Sequence, residues 1–122
     1  MSGQNIDARR METVDVRMSA MGQDRVFHIS GGTAHIGAIA TAYLAHEGNA
    51  VVEVITLPGH RETELAAELA ELAALSLKCS VAVVVGIHLD SPTREDIMAV
   101  VEEARTKMKK LLKDGKIYRS PI

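Results

Sequence analysis

Residues 80–89 constrain the fold of this chain more than any other segment, because they are apolar on both faces that a β-strand would present. The odd-numbered residues from Val81 to Leu89 would line one face, and the even-numbered residues from Ala82 to Asp90 would line the other. A strand with two apolar faces is typical of the middle of a sheet. The sequence therefore predicts that this segment is a central strand.

Four earlier segments also have the pattern of strands, with alternating apolar and polar residues or a run of β-branched side chains. They are residues 13–20, 26–30, 36–44 and 50–57. The third segment is rich in alanine, so a helix is the alternative interpretation. We favour a strand, because Gly31 and Gly32 before it and residues 47–49 after it are typical of hairpin turns.

Two later segments have the period of amphipathic helices instead. The first covers residues 62–77, with a predicted buried stripe of leucines and with alanines on its flanks. These leucines are Leu65, Leu69, Leu72 and Leu75. The second helix is predicted to begin after Ser91, its N-cap, and to stop at Gly115. Its predicted buried stripe is Ile97, Val101, Ala104, Met108 and Leu111.

The order of elements is β-β-β-β-α-β-α, which predicts the α+β class. We expect a mainly antiparallel sheet with the two helices packed on one face. The predicted organisation is a flexible N-terminal segment at residues 1–12, a single domain at residues 13–115 and a C-terminal tail at residues 116–122.

Composition narrows the classes of partner. The 122 residues include 14 basic and 16 acidic side chains, so no basic field favours nucleic acid or a membrane surface. With one Phe, two Tyr and no Trp, the core must be aliphatic, and a homodimer or larger assembly would add burial. The single Cys79 cannot form an intramolecular disulfide. Because no signal peptide or membrane span is apparent, we expect a soluble cytoplasmic protein.

Three of the five histidines stand where predicted strands end, beside glycine or acidic residues. They are His35, His60 and His88. Because strand ends gather side chains from distant parts of a chain, we interpret them as parts of one ligand site. The turn Gly31-Gly32-Thr33 would offer backbone N–H groups and a hydroxyl to a phosphate. A hairpin turn that needs positive φ explains the same glycines.

Other polar groups adjoin these histidines. His60 and Arg61 open the first predicted helix, where a donor and a cation suit an anionic ligand. Asp90 lies two residues after His88 on one strand face, so it can orient the imidazole or share a ligand, unless it only helps to cap the next helix. Glu62 fits either a site or helix-start electrostatics.

These side chains also supply the residue types of a divalent metal site, although their spacing matches no established motif. The candidate ligands are His35, His60, His88, Asp90 and Glu62. We interpret His28 and His46 as structural or surface residues, because neither adjoins both a glycine turn and a second polar group.

Three motifs in this order resemble those of the LpdD-like prenylated-flavin chaperones, over about Val14 to Leu112. The motifs are residues 31–38, residues 57–62, and residues 86–90 followed by 93–97. These small proteins are associated with UbiX-type flavin prenyltransferases and UbiD-type decarboxylases such as gallate decarboxylase. The resemblance implies binding of prenylated FMN, its protection, and its delivery to the decarboxylase. By motif and chemistry, the implied cofactor-binding residues are Gly31, Gly32, Thr33, His35, His60, Arg61 and His88.

Three functional hypotheses follow. The first is a non-catalytic cofactor chaperone, because no Ser or Cys has an obvious activating base nearby. The second is a metal-assisted enzyme subunit of the decarboxylase type that uses the histidine cluster, with Asp90 or Glu62 as the base. The third is a structural subunit whose sheet edge or apolar helix face docks a partner.

Overall fold

The computed structural model of the chain describes residues 14–58 and 62–115. In chain order the elements are β1 (Val14–Met21), β2 (Asp24–Gly32), β3 (Ala38–Leu44), β4 (Ala50–Thr56), α1 (Thr63–Leu77), β5 (Val81–His88) and α2 (Arg94–Asp114). This order and the α+β class confirm the prediction, including the strand that we favoured over a helix for β3. The predicted N-terminal segment and C-terminal tail lie outside the described residues, and the domain division stays a prediction.

The five strands form one sheet in the order β1-β2-β5-β3-β4, so β5 is the central strand, as its two apolar faces predict. Three neighbouring pairs are antiparallel, and β2 pairs with β5 in parallel. The sheet is therefore mixed and not purely antiparallel. The interpretation of Gly31 and Gly32 as a β2–β3 hairpin turn is wrong, because β5 lies between those two strands.

The strand register aligns buried residues of the three middle strands across the sheet. Phe27 of β2 is opposite Val83 of β5, and Val83 is opposite Ala40 of β3. All three are fully buried, and they belong to a core cluster that includes Leu69 of α1 and Met108 of α2. Burial of this single core is what holds the helices to the sheet.

Helix α1 buries its alanines and not only its leucines. Its buried residues are Leu65, Ala66, Leu69, Ala70, Ala73 and Ala74, whereas Leu75 is 44% exposed. The predicted stripe of leucines with flanking alanines is therefore wrong at Leu75. Short side chains allow close approach between packed elements, and α1 packs against β3, whose buried residues are also alanines.

Helix α2 begins two residues later than predicted. Its N-cap is Thr93, whose hydroxyl accepts from the Asp96 N–H while the Asp96 carboxylate accepts from the Thr93 N–H, a reciprocal capping box. The prediction of Ser91 as the cap is wrong, because Ser91 instead adopts positive φ in the preceding loop. The buried side of α2 also differs from the predicted stripe, since Ile97 is 44% exposed and Val100 is buried.

The face of the sheet opposite the core is exposed or half-buried along all five strands, except at Gly86. We call it the open face. One row of register partners across it is Arg17, His28, Val84, Ile39 and Ile55. Large apolar side chains on this face are strongly exposed, with Ile55 at 67% and Tyr43 at 48%. Within the described residues, neither helix combines the length and hydropathy that crossing a bilayer requires.

Candidate functional site

Strands β2 and β5 run in parallel and end side by side, which brings the glycine turn against His88. Gly32 is the register partner of His88, and the Thr33 N–H donates to the His88 carbonyl at 3.0 Å. Gly32 has a φ of +60°, and a Cβ there would lie 1.9 Å from the same carbonyl oxygen. Only glycine satisfies both conditions, so this turn joins the two strand ends closely.

The loop of residues 33–37 then crosses the open face above Gly86. A Cβ on Gly86 would lie 1.4 Å from the His35 carbonyl oxygen, so the loop backbone rests directly on the strand. The Gly37 N–H donates to the Val85 carbonyl at 2.8 Å and secures the far end of the loop. Gly86 therefore sets the position of His35.

This crossing places His35 beside His88. Their ring centroids are 5.5 Å apart with an interplanar angle of 42°. Asp90 Oδ1 lies 3.7 Å from His88 Nε2, an exposed contact that becomes an ion pair when the imidazole is protonated. Both histidine residues are exposed and lie at the end of the open face. We call the group Thr33, His35, His88 and Asp90 the mouth.

Glu62 provides a hydrogen-bond acceptor for β5 at the point where the pairing of β3 with β5 ends. The Ile87 N–H donates to Glu62 Oε2 at 3.2 Å, at the position after the last backbone bond between β3 and β5. A Cβ on Gly37 would lie 2.2 Å from the same oxygen, so Gly37 leaves room for the carboxylate. Glu62 makes no side-chain cap for α1, although it occupies the N-cap position. Its carboxylate thus serves the sheet edge at the mouth.

His60 and Arg61 lie outside the described residues. The residues on either side of this segment both reach Gly37, because the Leu57 N–H donates to the Gly37 carbonyl at 2.9 Å and the Glu62 carboxylate lies against Gly37. The hydroxyls of Thr56 and Thr63 also contact each other. The chain that leads into and out of residues 59–61 is therefore attached beside the mouth.

A model of the prenylated flavin chaperone LpdD-like domain matches residues 8–116. The chain belongs to this family. The match includes every described residue of the mouth and also residues 59–61. No curated protein matches this LpdD-like chain.

The glycine turn of this LpdD-like domain uses one of the amides that the sequence predicts for a phosphate. The Thr33 N–H donates to the His88 carbonyl. The donors at this place are the Thr33 hydroxyl and the exposed imidazoles of His35 and His88. Imidazole and hydroxyl groups are suitable hydrogen-bond donors to a phosphate.

The described residues of this LpdD-like domain do not support the predicted metal site. No group of three or more His, Cys, Asp or Glu side chains within residues 14–58 and 62–115 is arranged to hold a metal ion. His35, His88 and Asp90 are neighbours without converging on one point, and the Glu62 carboxylate accepts from the Ile87 N–H. The remaining candidate ligand, His60, lies outside the described residues.

Sequence reasoning missed one pair of functional interest, Arg17 and His28. They are register partners on the open face and line a depression of about 260 Å³ together with Met18, Ser19 and Val26. The signal was available, because a two-residue turn at Gly22-Gln23 fixes the β1–β2 register and hence this pairing. His46, in contrast, is exposed in the β3–β4 hairpin, at the far end of the sheet from His88.

The lone thiol lies far from the mouth. Cys79 precedes β5, whereas His88 ends it, and the thiol is half-buried. Burial raises the pKa of the Cys79 thiol, and the nearby Asp24 carboxylate raises it further. The thiol therefore stays protonated near neutral pH, which makes it a poor nucleophile.

Proposed function

We propose that this LpdD-like protein is a non-catalytic chaperone that binds prenylated FMN and delivers it to a UbiD-type decarboxylase. The observation that carries the proposal is the pairing of His35 with His88 at a mouth that opens onto the open face of the sheet, next to Val84 and Ile39. Family membership supports a prenylated flavin as the ligand.

The mouth is proposed to hold the ribityl phosphate. His35, His88 and Thr33 offer neutral or cationic donors from two strand ends that are joined by a backbone hydrogen bond. His60 and Arg61 precede Glu62 directly in the sequence, and we assign them to the same phosphate. A permanently charged guanidinium beside imidazoles suits a dianionic group better than any one of them alone.

The open face is proposed to hold the ring system. Next to the mouth it presents Val84 of β5 and Ile39 of β3, both half-buried and in register with each other. Ligand sites for ring systems are mainly apolar with a few polar groups that fix orientation. The exposure of this floor also suits a protein that must release its ligand to an acceptor.

Binding is tested by gel filtration under anaerobic conditions after mixing the protein with prenylated FMN. We expect a flavin-like absorption to co-elute with the protein. His88→Ala should weaken the affinity for prenylated FMN about tenfold or more, because a charge-assisted hydrogen bond is lost. His46→Ala is the matched control, because it removes an exposed histidine at the other end of the sheet. Wild-type protein that retains no flavin would contradict the proposal.

Delivery is tested with an apo UbiD-type decarboxylase. Loaded protein should restore decarboxylase activity faster, or with less loss to oxidation, than the same concentration of free cofactor. A purified UbiX-type prenyltransferase can supply the cofactor in the same assay. If free cofactor and loaded protein restore the decarboxylase equally well in air, the delivery role is refuted, although the binding of the cofactor is not.

We also propose that the protein forms a homodimer or a larger homo-oligomer through the β3–β4 half of the open face. Ile55 and Tyr43 are exposed there, each opposite an apolar register partner, Ile39 and Val51. Exposed apolar patches mark interaction surfaces. Light scattering should show an assembly that Ile55→Glu converts to monomer. A monomeric wild-type protein at micromolar concentration would refute this.

A further inference from the structure

We propose that Arg17 and His28 form a second polar subsite, which binds the pyrimidine edge of the flavin ring when the phosphate is held at the mouth. The inference rests on the proposed function and specifies the orientation of the ligand. It assigns a role to the depression on the open face, which the mouth does not use.

The pair is built into the sheet. Arg17 of β1 and His28 of β2 are direct register partners, so their side chains rise from neighbouring strands on one face. Asp15 Oδ2 accepts from Arg17 Nε at 2.6 Å, which orients the guanidinium. The guanidinium is planar, so this contact restricts the directions of its other N–H groups.

The distance between the mouth and the pair of Arg17 and His28 matches the length of one extended ligand. His28 is the register partner of Val84, and Val84 precedes His88 by four residues along β5. At about 3.3 Å per residue, the two polar groups are separated by about 13 Å along the strand. An extended FMN molecule, with its phosphate at one end and its pyrimidine ring at the other, spans a comparable length.

The surface between the two subsites is suited to a flat ring. Ser30 and Val84 form its accessible part, and the loop of residues 33–37 covers Gly86 at the mouth end. The depression beside Arg17 and His28 has a volume of about 260 Å³. This is below the range of about 300–1,000 Å³ for a complete ligand site, so the depression can take one end of a ligand.

The chemistry favours the pyrimidine edge. This edge carries two carbonyl oxygens, and in the reduced flavin the adjacent N1 carries negative charge near neutral pH. A guanidinium and an imidazole both supply donors to such a group, and the guanidinium supplies positive charge. Arg17 and His28 should therefore bind reduced flavin more tightly than oxidised flavin.

The test measures dissociation constants of FMN and of riboflavin, each oxidised and dithionite-reduced, by anaerobic ultrafiltration. Arg17→Gln should weaken binding of reduced FMN about tenfold and of oxidised FMN by less, because it removes a charge-assisted hydrogen bond. Arg17→Lys keeps the positive charge but loses the planar guanidinium, so its affinity for reduced FMN should lie between those of wild type and Arg17→Gln. Glu71→Gln, at an exposed position of α1 and away from the open face, is the control and should change nothing.

Riboflavin distinguishes the two ends of the ligand because it lacks the phosphate. The loss caused by Arg17→Gln or His28→Gln should persist with riboflavin, whereas the loss caused by His88→Ala should disappear. If the loss caused by Arg17→Gln instead disappears with riboflavin, the pair holds the phosphate and the inference is overturned.

Two further results separate this inference from the proposed function. If wild-type protein binds neither flavin, the proposed function fails and takes the inference with it. If flavin binds and depends on His88, but Arg17→Gln and His28→Gln proteins with unchanged melting temperatures bind as wild type does, only the inference fails.

Discussion

Replacement of Gly86 by alanine should damage the mouth without touching any polar group. The new methyl carbon would lie 1.4 Å from the His35 carbonyl oxygen. Ordinary contact needs about 3.5 Å, so the loop of residues 33–37 would have to lift by about 2 Å. The rigid central strand cannot yield as easily, because it is paired on both sides.

The expected loss of stability combines two effects. Overpacking of a closely packed site costs about 1–3 kcal/mol. Lifting the loop also endangers the hydrogen bond from the Gly37 N–H to the Val85 carbonyl, which contributes about 0.5–1.5 kcal/mol. Gly86→Ala should therefore lower the free energy of unfolding by about 2–4 kcal/mol.

The assay is equilibrium urea unfolding followed by circular dichroism, with Gly48→Ala as the matched control. Gly48 has a φ of +83° and nothing within 4 Å of a new Cβ, so alanine there adds only backbone strain of about 1 kcal/mol. The clash at Gly86 is with a backbone oxygen, so adding His35→Gly should not rescue the variant. A Gly86→Ala protein within 0.5 kcal/mol of wild type would refute the close crossing of loop and strand.

Three other substitutions test separate contacts. Glu62→Ala should cost about 1–2 kcal/mol by leaving the Ile87 N–H without its acceptor, whereas Glu62→Gln should cost less; urea unfolding checks both. Thr93→Ala should lower stability by about 1 kcal/mol through loss of the α2 cap, seen as a lower melting temperature. The hydrogen bond from Arg105 holds the pKa of the Glu68 carboxyl below its usual value of 4.5, so this pair stabilises the fold above that pH and the contribution is lost as the pH falls further. Glu68→Gln should accordingly cost under about 1 kcal/mol at pH 7, since the pair is partly exposed, and nothing at low pH; unfolding at both pH values checks this.

The fold was predictable wherever a local pattern determines it. The alternation of β5 indicated a central strand, and the helical period located both helices to within about two residues. Strand order was not predictable in this way, because periodicity says nothing about which strands become neighbours. Gly31 and Gly32 therefore suggested a hairpin turn, although their conformation serves a close contact with β5.

The candidate site was predictable to a similar extent. His35 and His88 come together because His35 lies shortly after β2 and His88 is the last residue of β5, and these two parallel strands end side by side. The sequence already indicates that both histidines stand at strand ends. The metal ligand set failed at Glu62, whose carboxylate serves the Ile87 N–H. That role depends on where β3 separates from β5, which only the three-dimensional arrangement reveals.

The placement of β5 between strands that precede it has a consequence for synthesis on the ribosome. The β1–β2 and β3–β4 hairpins can each form from the emerging chain, but they share no backbone hydrogen bonds until β5 arrives between them. Until then both hairpins expose unpaired inner edges, which are vulnerable to aggregation. The mouth is thus among the last parts to be assembled, because His88 lies at the end of β5 and accepts from the turn that follows β2.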